Sequence, residues 1–343
     1  NVDWKTGLNI LLYALLGVTL HRVEENLGYG AACNWGVRQA RGDRILFLNN
    51  DLILQPGALT AAAAALESAP DIGAVGGRLI HFSGTLQEAG GVLWRSGFCA
   101  AYGRGDYPIR SPFETRRFVD YGSAAFLLVR ADVLQACGPF DPAFNPAYFE
   151  DVDLCVRIQK AGWRIVYEPR AICQHAEYGS SSSSEAAIAL MEKHHQLLVD
   201  RHAGWLQRAP EPNPLTRRIR SANRTAPRVL VLDIEVPFPR RGRGLPHTHA
   251  VCQALVELGW DTTYFSLDRQ AEPWSAIHQE IHPGIEVVHE YGGHRLDIFL
   301  HRFHGEFDAL ILVRPGTMLA LNDLRERHPD WFAGMALVYD AEA

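Results

Sequence analysis

Leu46-Phe47-Leu48-Asn49-Asn50-Asp51 is an apolar run that breaks off into three consecutive polar side chains. The run has the length and composition of a buried strand. Ligands of open α/β sheets gather where strands end at their carboxyl side, so fold and site are read from the same six residues. A carboxylate with amide neighbours at such a strand end suits Mg²⁺ or Mn²⁺, hard cations that keep water and draw further ligands from a substrate's phosphates. Taken alone, the triplet reads first as an ordinary turn leading into Pro56-Gly57, since Asn and Asp close turns with their own side chains.

Working outward, apolar segments of strand length fall at 18–22, 72–77, 124–129 and 164–167. Helical patterns fall between them at 30–41, 58–68, 132–137 and 151–161, the last closed by Gly162. This alternation predicts an α/β layer fold. A polar tract, Ser180 to Ser184, precedes a helical stretch over 185–202. Residues 207–227 are rich in proline and arginine without apolar periodicity and read as a linker. Beyond it, strands at 228–232, 262–266, 307–313 and 335–339 alternate with helices at 247–258 and 321–328, a Rossmann-like sheet. The expected division is 1–206, a linker over 207–227, and 228–343.

Composition narrows the function. The 343 residues are 47% hydrophobic and 21% charged, with a formal charge of -6, which fits a globular protein of two domains and makes nucleic acid a poor partner. The six cysteines stand far apart with no CxxC pair, so neither a zinc ribbon nor a disulfide framework is indicated, and a reducing cytosol fits. The apolar run over 8–20 is interrupted by Asn9, Tyr13 and Gly17 and falls short of the roughly 20 residues a membrane span needs. The chain reads as cut at both ends.

Three more segments carry chemistry. Tyr148-Phe149-Glu150-Asp151-Val152-Asp153 places three carboxylates at a helix start. Capping accounts for one of them, and crowding two carboxylates behind aromatics raises a pKa toward what a general base needs. His175 ends an apolar run and could be a metal ligand or an ordinary core histidine. Glu25-Asn26-Leu27-Gly28-Tyr29-Gly30, with Asn34 beyond it, is a glycine-punctuated turn entering a helix, able to approach a phosphate but lacking the dinucleotide fingerprint.

In this order the segments resemble the family 2 glycosyltransferases of the GT-A fold, in particular a rhamnosyltransferase-like branch. The resemblance runs over about 18–179 and also rests on Gly73-Ala74-Val75-Gly76, Gln87-Glu88-Ala89-Gly90-Gly91, Val119-Asp120-Tyr121 and Gly138-Pro139-Phe140-Asp141. It implies inverting sugar transfer from a nucleotide-diphosphate sugar to a hydroxyl of a glycan or lipid-linked glycan, in cell-surface polysaccharide or O-antigen synthesis. The setting implied is cytoplasmic, at the inner face of a membrane, by peripheral association. Asp51 then reaches the metal, Mg²⁺ or Mn²⁺, and His175 matches a second metal contact. Asp151 matches the base, with Glu150 beside it in an orienting role. Asn26, Gly28, Asn34, Asn49, Asn50 and Asp51 fall on the donor side. Asn49 departs from the family's first acidic residue, and Ala124 stands where many relatives carry glycine. The family's first strand and its base-recognising aspartate are expected before residue 1. Residues 228–343 resemble the N-terminal half of the family 4 glycosyltransferases of the GT-B fold, without the half that binds donor. Alternatives are a non-catalytic glycan-binding or scaffold module derived from a transferase, and a nucleotidyltransferase.

Overall fold

In the computed structural model, residues 26–176, 185–211, 226–268 and 272–341 are described. The strand expected at 18–22, the apolar run over 8–20, the serine tract and most of the linker lie outside them.

The opening hexapeptide does form a strand, β1 (Arg44–Leu48), followed by a turn and a short β2 (Leu52–Leu54). They join β3 (Ile72–His81), β4 (Leu86–Glu88), β7 (Arg117–Val119), β8 (Phe126–Arg130) and β9 (Arg164–His175) in one sheet, while β5 (Gly91–Leu93) and β6 (Cys99–Ala101) pair as a separate ribbon. The sheet's order is β1-β8-β3-β9-β2, with β4 on β3 and β7 on β9. β3 and β9 are parallel, but β8 runs antiparallel to both of its neighbours, so the α/β layer fold expected here is built on a mixed sheet. No α-helix crosses over within 86–119: β4 folds back on β3 through the turn at 82–85, and β7 comes in antiparallel to β9.

The helices α1 (Tyr29–Gln39), α2 (Ala58–Glu67), α3 (Ala131–Cys137), α4 (Glu150–Lys160) and α5 (Glu185–Leu206) match the predicted ones within a few residues. Separate apolar clusters, one around Phe47, Leu127 and Tyr167 and one around Leu66, Val75 and Phe126, cover the two faces of the sheet.

β9 holds the least expected feature. The strand expected at 164–167 and the apolar run ending at His175 are one strand, interrupted by a bulge. Gly76 faces Tyr167 while Arg78 faces Ile172, so Glu168-Pro169-Arg170-Ala171 swings out of the ladder. A proline, which has no N–H to give, is tolerated in such a bulge. A side chain on Gly77 would lie 2.6 Å from the Ala171 carbonyl oxygen, so only glycine admits this approach. Before the bulge β9 pairs with β7, and after it with β2, which sets Leu52 opposite His175.

The second sheet is parallel throughout, as expected: β10 (Arg228–Asp233), β11 (Asp261–Ser266), β12 (Ile285–Val288), β13 (Ala309–Val313) and β14 (Ala336–Asp340), in the order β12-β11-β10-β13-β14. β10 is buried along its whole length, as strands covered on both faces are. The helices α6 (Leu245–Glu257), α7 (Trp274–Glu280), α8 (Leu296–Phe303) and α9 (Pro315–Arg327) connect the strands. The expected elements do not include α7, β12 or α8: α7 and β12 are too short to show a period, whereas α8 carries one, with Leu296, Phe299, Leu300 and Phe303 on its buried face. The sheets meet where Glu290 accepts hydrogen bonds from the Ser111 backbone N–H at 3.2 Å and hydroxyl at 2.8 Å, and where the Arg116 N–H bonds the Pro283 carbonyl at 2.8 Å. No helix of the described residues is long and apolar enough to cross a membrane.

Candidate active site

The carboxyl end of the first sheet gathers two polar centres. In the first, the register of β2 against β9 brings His175 Nε2 to 3.1 Å from Asp51 Oδ1 and 3.1 Å from Asn49 Nδ2. The other ring nitrogen, Nδ1, lies 3.0 Å from the Gln87 side-chain oxygen on β4. That oxygen accepts the Nδ1 proton, a tautomer fixed by the hydrogen-bond network, and Nε2 is left with its lone pair outward. Asn49 donates to it, but Asp51, an acceptor only, faces the same lone pair. Two acceptors in contact repel unless a proton or a cation lies between them.

A divalent cation suits this donor set: one carboxylate, one imidazole whose tautomer is held from behind, and an approach left open because Asp51 is only partly buried. Among the described residues no three His, Cys, Asp or Glu side chains are grouped so that they could hold a metal ion together, so further ligands would come from water and phosphate oxygens, the usual habit of Mg²⁺.

The second centre is the start of α4. Asp151 Oδ2 accepts the Ala124 N–H at 3.0 Å and Oδ1 its neighbour Val152 N–H at 2.8 Å. Burial raises the Asp151 carboxyl above its ordinary range, and the two N–H bonds only partly offset this. Glu150, 8% exposed, is pushed up to about 8, first by burial and then by the Asp151 charge, and its Oε2 has no hydrogen-bond partner. The two carboxyls titrate as a pair. The anion settles on Asp151, which receives two N–H bonds, and the proton on Glu150.

Glu150→Gln tests this charge state. A carboxyl raised in the native state leaves stability intact below its ordinary 4.5 and removes it as pH rises towards about 8, because the unfolded chain ionises freely. The melting temperature of the glutamine variant, relative to the unsubstituted chain, is expected to climb between those two pH values. Differential scanning fluorimetry across that window checks it, and an equal offset at both ends contradicts a neutral Glu150.

One short segment joins the centres. Ala124 gives its N–H to Asp151, Ala125 accepts the Asn49 N–H at 3.0 Å, and Ser123 N–H bonds Glu88, the neighbour of Gln87. Tyr29, at the start of α1, donates its hydroxyl to the Ala124 carbonyl at 2.7 Å. The backbone just before α4 is strained: Tyr148 and Phe149 have φ of 76° and 68°, where a bulky side chain costs about 1–3 kcal/mol.

Several expected donor-side residues are placed otherwise. Both ends of the Asn34 amide are engaged by the Phe140 backbone, at 2.6 and 2.9 Å, so Asn34 ties α1 to the core. Gly28 packs where a Cβ would meet Asn145 and Pro146 at 2.6–2.8 Å, which accounts for this glycine by close packing. Asn26 caps the turn by accepting the Gly28 N–H at 2.9 Å, and Asn50 is exposed in the turn after β1. Asp153 belongs to the core. Burial alone would raise its carboxyl, but the hydrogen bond from His202 at 2.9 Å and the charge of Arg157 at 2.7 Å outweigh burial and hold it low.

A family model described as glycosyltransferase like family 2 matches residues 15–194. The O-antigen biosynthesis protein RfbC of Myxococcus xanthus is 31% identical over 255 residues, which are 68% of this chain and 19% of that protein. The N-acetylglucosaminyl-diphospho-decaprenol L-rhamnosyltransferase of Mycobacterium tuberculosis is 32% identical over 213 residues, 54% of this chain and 67% of that one. The chain thus spans about a fifth of the first relative and two thirds of the second. Among solved structures, GalNAc-T7 with UDP, GalNAc and Mn²⁺ aligns at 15% identity with a TM-score of 0.44, over 57% of this chain and 39% of that one.

Proposed function

The chain belongs to glycosyltransferase like family 2, and from that premise we propose that it moves a sugar from a nucleotide-diphosphate donor to a hydroxyl of a glycan or lipid-linked glycan, with inversion at the anomeric carbon. The observation that carries this reading is the joining of the Asp51–His175 pair and the Glu150–Asp151 pair through residues 123–125 at one sheet end. Displacement of a diphosphate by a hydroxyl needs charge neutralised on the leaving side and a base on the entering side, and the two centres meet those needs.

Asp51 and His175 would hold a divalent cation, which when bound neutralises the donor's diphosphate. Asp151 takes the proton of the acceptor hydroxyl as that oxygen bonds to the anomeric carbon and the nucleoside diphosphate departs from the opposite face. The two N–H bonds from Ala124 and Val152 fix the carboxylate for this role, and the neutral Glu150 can donate to an acceptor oxygen without repelling the base. The name of the mycobacterial relative favours a rhamnosyl donor and that of the myxobacterial one O-antigen or a similar cell-surface polysaccharide; in our reading the transfer takes place at the cytoplasmic face of a membrane. Residues 1–206 carry this activity in our reading, with a linker over 207–227. Residues 228–343 are read as a half of a family 4-like fold, to which no catalysis is assigned.

Calorimetric titration of the chain with dTDP-rhamnose, UDP and GDP, with and without Mn²⁺, tests the proposal. Binding that requires Mn²⁺ is expected for one nucleotide. No binding by a folded chain would favour the scaffold reading instead.

A further inference from the structure

The strained turn in front of Glu150 is held from both sides. From α1, the Tyr29 N–H bonds the Pro146 carbonyl at 2.9 Å. From α5, the His194 ring reaches two successive carbonyls, with Nδ1 at 2.9 Å from the Ala147 oxygen and 3.1 Å from the Tyr148 oxygen. Both are acceptors, so Nδ1 carries the proton. The ring is fully buried, meets the edge of Phe144, and its Nε2 has no partner. All of its hydrogen bonding is therefore directed at this one turn.

The two carbonyls it holds flank the peptides of Tyr148 and Phe149, the residues in the left-handed region. An aromatic side chain adopts that backbone only where its surroundings over-determine it, and such strain gathers at sites where geometry matters. The next two residues are Glu150 and Asp151. The neighbouring His195 packs its ring 5.9 Å from Phe149 and bonds the Ser96 carbonyl at 3.0 Å, so α5 grips the turn at a second point.

We infer that His194 is a positioning residue: by bonding the Ala147 and Tyr148 carbonyls it holds the left-handed turn that aims the Glu150–Asp151 pair, and it touches neither substrate nor metal. The inference rests on the activity proposed above for that pair.

The test compares the chain with His194→Ala and His194→Asn, whose amide nitrogen can stand in for Nδ1. Two readouts are taken: hydrogen exchange of the backbone amides, and dTDP release from dTDP-rhamnose with Mn²⁺, followed over pH well below the melting temperature. In His194→Ala, exchange is expected to quicken at 147–152 while β3 and β9 keep their protection. Turnover is expected to fall by up to about 10²-fold with donor KM unchanged, the scale of a small misplacement of reacting groups. The limb of the pH profile set by the carboxyl pair is expected to move, and His194→Asn to recover most of both effects. Unchanged exchange at 147–152, or a KM that rises while kcat holds, overturns the inference. If the unsubstituted chain turns over no donor, the activity reading fails on its own, and exchange alone still decides whether His194 holds the turn.

Discussion

Asp151→Asn is expected to lower turnover by about 10²–10⁴-fold, the usual contribution of a positioned general base, while donor affinity stays nearly unchanged. The asparagine keeps the size of the side chain and removes its capacity to take a proton. It also sets an NH₂ against one of the two N–H groups that now bond the carboxylate, Ala124 or Val152, so the variant is expected to lose about 1–3 kcal/mol of stability as well. Rates are therefore compared well below the melting temperature, with donor binding measured calorimetrically on the same preparation. Turnover and donor affinity falling together would remove Asp151 from the role of base and make it part of the donor site.

Asp51→Ala is expected to abolish the Mn²⁺ dependence of donor binding. His175 lies almost buried, with its Nδ1 committed to Gln87, and among the described residues Asp51 supplies the carboxylate against its Nε2. With that carboxylate gone, an imidazole and the Asn49 amide are left, and neither supplies the negative charge a hard cation seeks. Gln87→Leu extends the test outward: it leaves Asp51 and His175 in place and frees the ring to turn, so metal affinity is expected to fall by about 10–100-fold. Titration of Mn²⁺ against each variant at saturating nucleotide separates the cases. Retention of metal-dependent binding in Asp51→Ala would end the metal reading of this centre.

Much of this arrangement was legible before any coordinates. The apolar run into Asn49-Asn50-Asp51 fixed a strand end, and the rhythm of strands and helices located α2, α4 and the second sheet. Other parts had no local signal. Strands as short as β4 and β7 show no periodicity, so their antiparallel pairings, and the place of Gln87 with them, emerge only when β3 is present to pair with β4 and β9 with β7. Asn34 looked like a ligand because a buried amide that satisfies a distant backbone, here Phe140, cannot be told from a binding amide by sequence. Nothing near His194 marks its part, since the two carbonyls it bonds lie more than forty residues back along the chain.

The bulge in β9 also governs how the chain tolerates changes of length. On β3 two steps lead from Gly76 to Arg78, while on β9 five lead from Tyr167 to Ile172, so the excess is taken up in 168–171 and the register beyond is set afresh by β2 and β3. An inserted or deleted residue in 168–171 would be absorbed there, and His175 would still stand opposite Leu52. The same change between Ile172 and His175 would reverse the parity of the strand and turn the imidazole to the other face, away from Asp51. Among related sequences, the distance to be kept for the site is therefore the short one from Ile172 to His175, while a change of length in 168–171 leaves that register intact and falls instead on the packing of the buried Glu168 and Ala171.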